Sequence, residues 1–139
     1  MANANAVAVI IELLGSPEGC PVRYACADGT GIPKGTLLKI TDARLAIKTS
    51  ADNDPFAGVA AFEKVASDGS TSITAYTHGI FDMEQKTGVT SSVGERVSIA
   101  GENILTKCGA TDLLFADVGI ALEDAAAEDI FAVLVGSGF

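Results

Sequence analysis

One histidine, His78, and three cysteines, Cys20, Cys26 and Cys108, are the side chains best suited to nucleophilic chemistry. A thiol or hydroxyl nucleophile needs a base within hydrogen-bond reach and a third group to orient that base, and His78 is the only imidazole available. A small hydrolase would have to pair it with Cys26 or Cys108, and no local motif supports either pairing. His78 instead alternates with Tyr76 along a predicted strand, the setting of a surface or interface residue. The run "SADNDP" at 50–55 superficially resembles a calcium loop. It lacks the central glycine and closing glutamate of an EF-hand, so it reads as a turn. The run "GTGIPKG" carries glycines and a lysine without the spacing of a phosphate loop or a helix behind it, and it reads as a β-turn. The odd cysteine count and its spacing match neither a disulfide framework nor a four-ligand zinc site; these are reduced, mostly buried small hydrophobes. The sequence therefore assigns no catalytic group, no cofactor and no metal site.

The elements that position these residues are set by composition. A chain of 139 residues supports one domain with a real core. Hydrophobic residues make up 48% and aromatics only 6%, so the core is built from small and branched aliphatics, while 15 glycines predict many turns. Nine basic against 18 acidic residues leave a net charge of −9, which repels phosphate backbones and argues against a nucleic-acid partner. Such acidity keeps a protein soluble and also occurs in proteins from salty environments. The opening "MANANAVAVIIELLG" has no Lys or Arg before Arg23, so it lacks the positive flank of a secretory signal. Its apolar run is interrupted by Glu12 and is far short of the ~20 residues that span a bilayer. No membrane partner is expected.

"AVAVIIELL" is rich in β-branched residues, and a period of two puts Val7, Val9 and Ile11 on one face of a strand; a helix fits the run as well. "GSPEGCP" then breaks any element. Short β-prone runs follow, "VRYACADGTGIPKG" and "TLLKITDARLAIKT", separated by Asp-Gly and Pro-Lys-Gly turns. In "AGVAAFEKVASDGSTSITAYTHGIF" a strand, a connector and an alternating strand succeed one another, with Ile73, Ala75 and Thr77 opposed to Thr74, Tyr76 and His78. Strands recurring with turn signals predict an all-β barrel or sandwich.

Residues 34–81 echo residues 93–139 when Gly35 is laid on Gly94. Leu38 then meets Val97, Ile40 meets Ile99 and Phe56 meets Phe115; with a two-residue insertion "GVAAFEKVA" meets "GIALEDAAA". The pattern reads as a duplicated β-unit. In the first copy the place of "EDAAAED" is taken by "EKVASDGS", whose Asp68-Gly69 is a turn signal. The acidic run is thus a connector of at most one or two helical turns between strands "GIAL" and "IFAVLV", with Glu123, Asp124, Glu128 and Asp129 solvating the bend.

Residues 1–22 read as an extended N-terminal arm and 23–139 as a single β-domain. An apolar arm closed by a Pro/Gly break is suited to adding a strand to a neighbouring chain or lying in its groove. Val7, Val9, Ile10, Ile11, Leu13 and Leu14 are the candidate contact residues. The alternative is that this run is the first strand of the barrel.

The pattern of "IPKGTLLKITD", an aspartate-rich turn, "AGVAAFEKVASDGSTSITAYTHGIF", "VGERVSIAG" and "VGIALEDAAAEDIFAVLV" resembles the head decoration, or capsid cement, proteins of tailed double-stranded DNA viruses, over roughly residues 23–139. The resemblance implies a small β-barrel or β-tulip domain with short helical connectors, often a homotrimer, on the outer surface of an icosahedral shell. There it would clamp neighbouring major capsid proteins, and residues 6–14 could reach the shell as N-terminal segments of that family do. It also implies a virion protein assembled in the host cytoplasm, which suits the missing signal and the unpaired cysteines. A structural protein of this kind gains from many weak contacts repeated by symmetry and needs no catalytic group. A receptor- or glycan-binding β-module is the alternative; it calls for an aromatic platform, which a chain with no Trp and two Tyr supplies poorly.

Overall fold

Short branched runs with alternating exposure, punctuated by turn residues, build eleven strands among the described residues. The computed structural model describes residues 7–13, 21–109 and 116–136. In chain order the strands are β1 (Val9–Leu13), β2 (Val22–Ala25), β3 (Leu37–Asp42), β4 (Leu45–Lys48), β5 (Phe56–Ala60), β6 (Ser72–Tyr76), β7 (Gly79–Gln85), β8 (Arg96–Gly101), β9 (Ile104–Lys107), β10 (Asp117–Ala121) and β11 (Ile130–Val135). Strands β2 to β6 close a five-stranded barrel in the order β2-β4-β3-β5-β6. The order β7-β11-β10-β8-β9, with β9 returning to β7, closes a second. In each barrel the closing contact is parallel, Ala25 on Leu45 in the first and Glu84 on Ile104 in the second, and the other pairings are antiparallel.

The two barrels repeat one another strand for strand. The β3–β4 hairpin pairs Leu38 with Lys48, Ile40 with Ala46 and Asp42 with Leu45; β8–β9 pairs Val97 with Lys107, Ile99 with Leu105 and Gly101 with Ile104, with a bulge at the same step. Arg44 and Asn103 occupy equivalent left-handed turn positions, φ 53 and 57. On the next strand Gly58 lies opposite Leu38 as Gly119 lies opposite Val97. Phe56, opposite Lys39, is therefore level with Asp117, opposite Ser98. The two-residue insertion falls before this strand, so the ladder does not match Phe56 to Phe115, which lies outside the described residues.

The short helical connectors expected from the sequence are absent among the described residues. In "LEDAAAED" Ala125 exchanges both backbone hydrogen bonds with Ser91, at 2.8 and 2.9 Å. Glu123 Oε1 accepts from Ala132 N, Asp124 Oδ1 from Val93 N and Asp129 Oδ2 from Ala126 N. The carboxylates satisfy backbone donors as well as meeting solvent. A helix would need the Ala125 carbonyl and the Ala126 N–H for its own ladder, and one short turn gains too little to compete.

Adjacent residues on one strand divide their work between two cores. Leu38, Ala46, Ala57, Ala60, Ile73 and Ala75 fill the first barrel. Their neighbours Leu37, Phe56 and Val59 face the other way and join the cluster of Phe81, Val97, Ile99, Phe131 and Val133 in the second. Polar bonds cross the same seam: Leu37 N donates to Asn103 Oδ1 at 2.8 Å and Thr49 Oγ1 to Gly101 O at 2.9 Å. Asn103 is buried. Asn103→Ala leaves the Leu37 N–H without its acceptor and is expected to cost about 1–3 kcal/mol, read as a lower urea midpoint with an unchanged slope.

One buried cation distinguishes the barrels. Lys64 bridges to Ile32 where Ala125 bridges to Ser91 in the repeat. Its Nζ donates to Asp28 O and Oδ1, Val65 O and Asp68 Oδ1 at 2.7–3.1 Å. Burial pulls the Lys64 pKa down, but the hydrogen bonds and charges of Asp68 and Asp28 prevail and hold it above its ordinary 10.5. Asp68 is held below its ordinary 3.8, first by Lys64 and then by Ser70 N. The Asp68 contribution to stability is complete above 3.8 and disappears as pH falls through the lower folded value; that of Lys64 is complete below 10.5 and disappears as pH rises through the higher one. Chemical unfolding of Asp68→Asn is expected to show lower stability than wild type at pH 7 and a smaller difference at a pH well under 3.8. A gap that stays constant with pH would contradict this.

Candidate functional site

The N-terminal strand crosses the seam. Ala8 N donates to Gly35 O on the first barrel at 2.7 Å, and β1 then runs antiparallel along β7 of the second. Val9 is opposite Asp82, Ile10 opposite Phe81, Glu12 opposite Ile80 and Leu13 opposite Gly79, with a bulge between Ile10 and Glu12. The strand lies outside both closed barrels, at the edge of the second sheet.

Alternation decides which candidate residues are presented. Ala8 is buried and Ile10 is packed, partly buried, against the shared core. Val7, Val9 and Ile11 point the other way and are 36, 57 and 53% exposed. The six residues named from sequence therefore separate: three form an outward apolar strip, Ile10 anchors the strand, and Leu13 contributes backbone pairing to Gly79. The side chain of Leu13 and all of Leu14 lie outside the described residues. Beside the strip is a groove of about 350 Å³ lined by Val7, Ala8, Val9, Ile10, Lys34, Gly35 and Ala60.

Gly35 permits this docking. Its φ of +86 favours glycine, and a Cβ there would lie 2.2 Å from Ala8 O. Gly35→Ala is expected to detach the start of β1, seen as faster amide exchange over residues 8–12 than in wild type; unchanged exchange would show that β7 alone holds the strand.

The groups that could do chemistry are dispersed. His78 is exposed in the junction between β6 and β7, beyond the strand that ends at Tyr76, with Nδ1 3.1 Å from Thr77 Oγ1. Cys26 is buried, and desolvation pushes its thiol up, away from the thiolate a nucleophile needs. Cys108 is partly buried, and Cys20 lies outside the described residues. Asp54 of "SADNDP" accepts from Ser50 N and Ala51 N, both at 2.8 Å, and its Oδ2 is 3.2 Å from Lys39 Nζ. Burial raises the Asp54 pKa, yet those donors outweigh it and hold the carboxyl below its usual range. The loop is thus a capped turn with an ion pair. Among the described residues no helix is long and apolar enough to cross a membrane.

Leu122 and Ile130 are also exposed, and three more exposed apolar side chains that lie between strands went unread in the sequence: Phe62, Val65 and Val93. Their signal was an apolar residue inside a polar turn segment, where no strand face can bury it.

Residues 17–136 match the model of a protein family described as phage cement protein. The match spans both barrels and begins after β1. No curated protein matches the chain.

Proposed function

The chain belongs to the phage cement protein family, a structural, capsid-associated family of virion proteins, and from this we propose that it binds the outer surface of the capsid and stabilises the shell by bridging neighbouring major capsid proteins. The observation that carries the reading is the strip of Val7, Val9 and Ile11 on β1. An edge strand with branched side chains turned to solvent, and no proline or lysine to blunt it, is a surface built to be covered. The strip lies on a strand anchored to both barrels, so load applied to β1 is shared by the whole core.

Self-association, as a homotrimer, is part of the same proposal. It would multiply the strip by symmetry and let weak individual contacts act together. In this reading β1 serves as the arm, and β2 to β11 form one unit of two duplicated barrels joined by their seam, the arm ending before Val22, which opens β2. A net charge of −9 keeps decorated particles apart and disfavours binding to free nucleic acid. The test is amide exchange of the protein free and bound to capsids: protection concentrated on residues 7–13 is expected, whereas protection confined to the barrels would move the contact elsewhere.

A further inference from the structure

We propose that a pocket on the first barrel, framed by Arg23 and Arg44, is a self-association site that takes the acidic connector between β10 and β11 of a second copy of this chain. The inference rests on the self-association in the reading above and is independent of capsid binding.

The pocket, about 310 Å³, is lined by Arg23, Tyr24, Ala25, Arg44, Thr71 and Ser72. Among the described residues no carboxylate forms an ion pair with either guanidinium. The lining is held in place: Arg44 Nη2 donates to Arg23 O at 2.7 Å, and Tyr24 Oη donates to Ala57 O at 2.8 Å. The carboxylate of Asp42, close by in the turn, accepts from Ala43 N.

The internal repeat indicates what this place in the fold is for. Arg44 occupies the left-handed turn position that Asn103 holds in the second barrel, and Asn103 is where the first barrel docks, through Leu37 N. The same position is thus occupied in one barrel and open in the other. The side chains also change sign. Ala25 opposite Leu45 corresponds to Glu84 opposite Ile104, which sets Arg23 level with Asp82. Asp82 and Asn103 in one barrel are replaced by two arginines in the other.

Charge identifies the occupant. Residues 21–76 carry six cationic and six anionic side chains, whereas residues 79–136 carry three against ten. The chain therefore has a neutral barrel with an arginine pocket and a strongly acidic one. The connector 122–129 presents Glu123, Asp124, Glu128 and Asp129, all exposed. Glu128, in a left-handed turn position with φ 66, has the loosest internal partner of the four, Thr87 Oγ1 at 3.4 Å. Paired guanidiniums are matched to carboxylates, and an arginine-rich pocket meeting an acidic turn sets register as well as affinity. Because pocket and connector are different surfaces, the contact is head-to-tail, the kind that closes into a ring.

Light scattering of the full chain without capsids is the test. Wild type is expected as a closed oligomer that weakens as salt rises. Arg23→Glu with Arg44→Glu should dissociate it at least about tenfold more readily, and Arg23→Gln with Arg44→Gln should act in the same direction; circular dichroism should be unchanged for both, since both arginines are exposed. Adding Glu128→Arg to the glutamate pair should restore the wild-type mass. A monomeric wild type, or arginine variants that keep the wild-type mass, would overturn the proposal. Failure of Glu128→Arg to restore association would overturn the connector as occupant. Variants that keep their mass but no longer pellet with capsids would reassign the pocket to the capsid protein and equally overturn self-association through it.

Discussion

Val9→Asp combined with Ile11→Asp is expected to lower capsid affinity by at least about 100-fold while the melting temperature stays close to that of wild type. The two side chains are 57 and 53% exposed, so the fold uses little of their outer surface. Covering what remains would contribute roughly 1 kcal/mol apiece, and an aspartate forced into that contact costs several kcal/mol for its unpaired charge. Ile10→Asp provides the contrast, because Ile10 faces the shared core and its replacement should loosen β1 itself. Pelleting with undecorated capsids and a thermal melt separate the two effects. Undiminished pelleting by the double variant would remove β1 from the interface.

Phe131→Ala is expected to destabilise the whole chain by about 3–5 kcal/mol, a large part of the 5–15 kcal/mol typical of a small protein. Phe131 is 1% exposed on β11 and belongs to the cluster that also contains Leu37, Phe56 and Val59 of the first barrel. Calorimetry should therefore show one transition, shifted downward, and not a stable first barrel with a melted second. Ile73, level with Phe131 by its pairing to Tyr24 as Phe131 pairs to Met83, lies in the first barrel's own cluster, so Ile73→Ala tests whether that barrel can melt alone. Two separated transitions would mean that the seam does not couple the barrels.

Much of this architecture was legible because its signals are local. Alternating branched residues bounded by Asp-Gly and Pro-Lys-Gly turns marked most strands, and Leu38 with Val97 and Ile40 with Ile99 exposed the repeat because each pair occupies equivalent ladder positions. That each repeat closes its own barrel was not legible, since closure depends on a parallel contact between strands some twenty residues apart, Ala25 with Leu45 and Glu84 with Ile104. Helix propensity misled at "ALEDAAAED", where a bridge to Ser91 and three carboxylate caps override it. Matching Phe56 to Phe115 failed because side-chain identity cannot place an insertion that only the ladder defines.

The candidate surface divides in the same way. A period of two put Val7, Val9 and Ile11 on one face, and that face is turned to solvent. What fixes the strand, the contact of Ala8 with Gly35 and the pairing of Ile10 with Phe81, joins residues distant in sequence and leaves no local trace. The Lys64 centre and the Arg23–Arg44 pocket were hidden for the same reason.

Co-sedimentation of the intact protein with undecorated capsids tests the central claim most directly. Bound protein should rise to a plateau at a fixed number of copies per shell, set by icosahedral symmetry, and the decorated shells should withstand heating better than bare ones. Protein that stays in the supernatant, or pellets in proportion to its concentration without a plateau, would contradict a role as capsid cement.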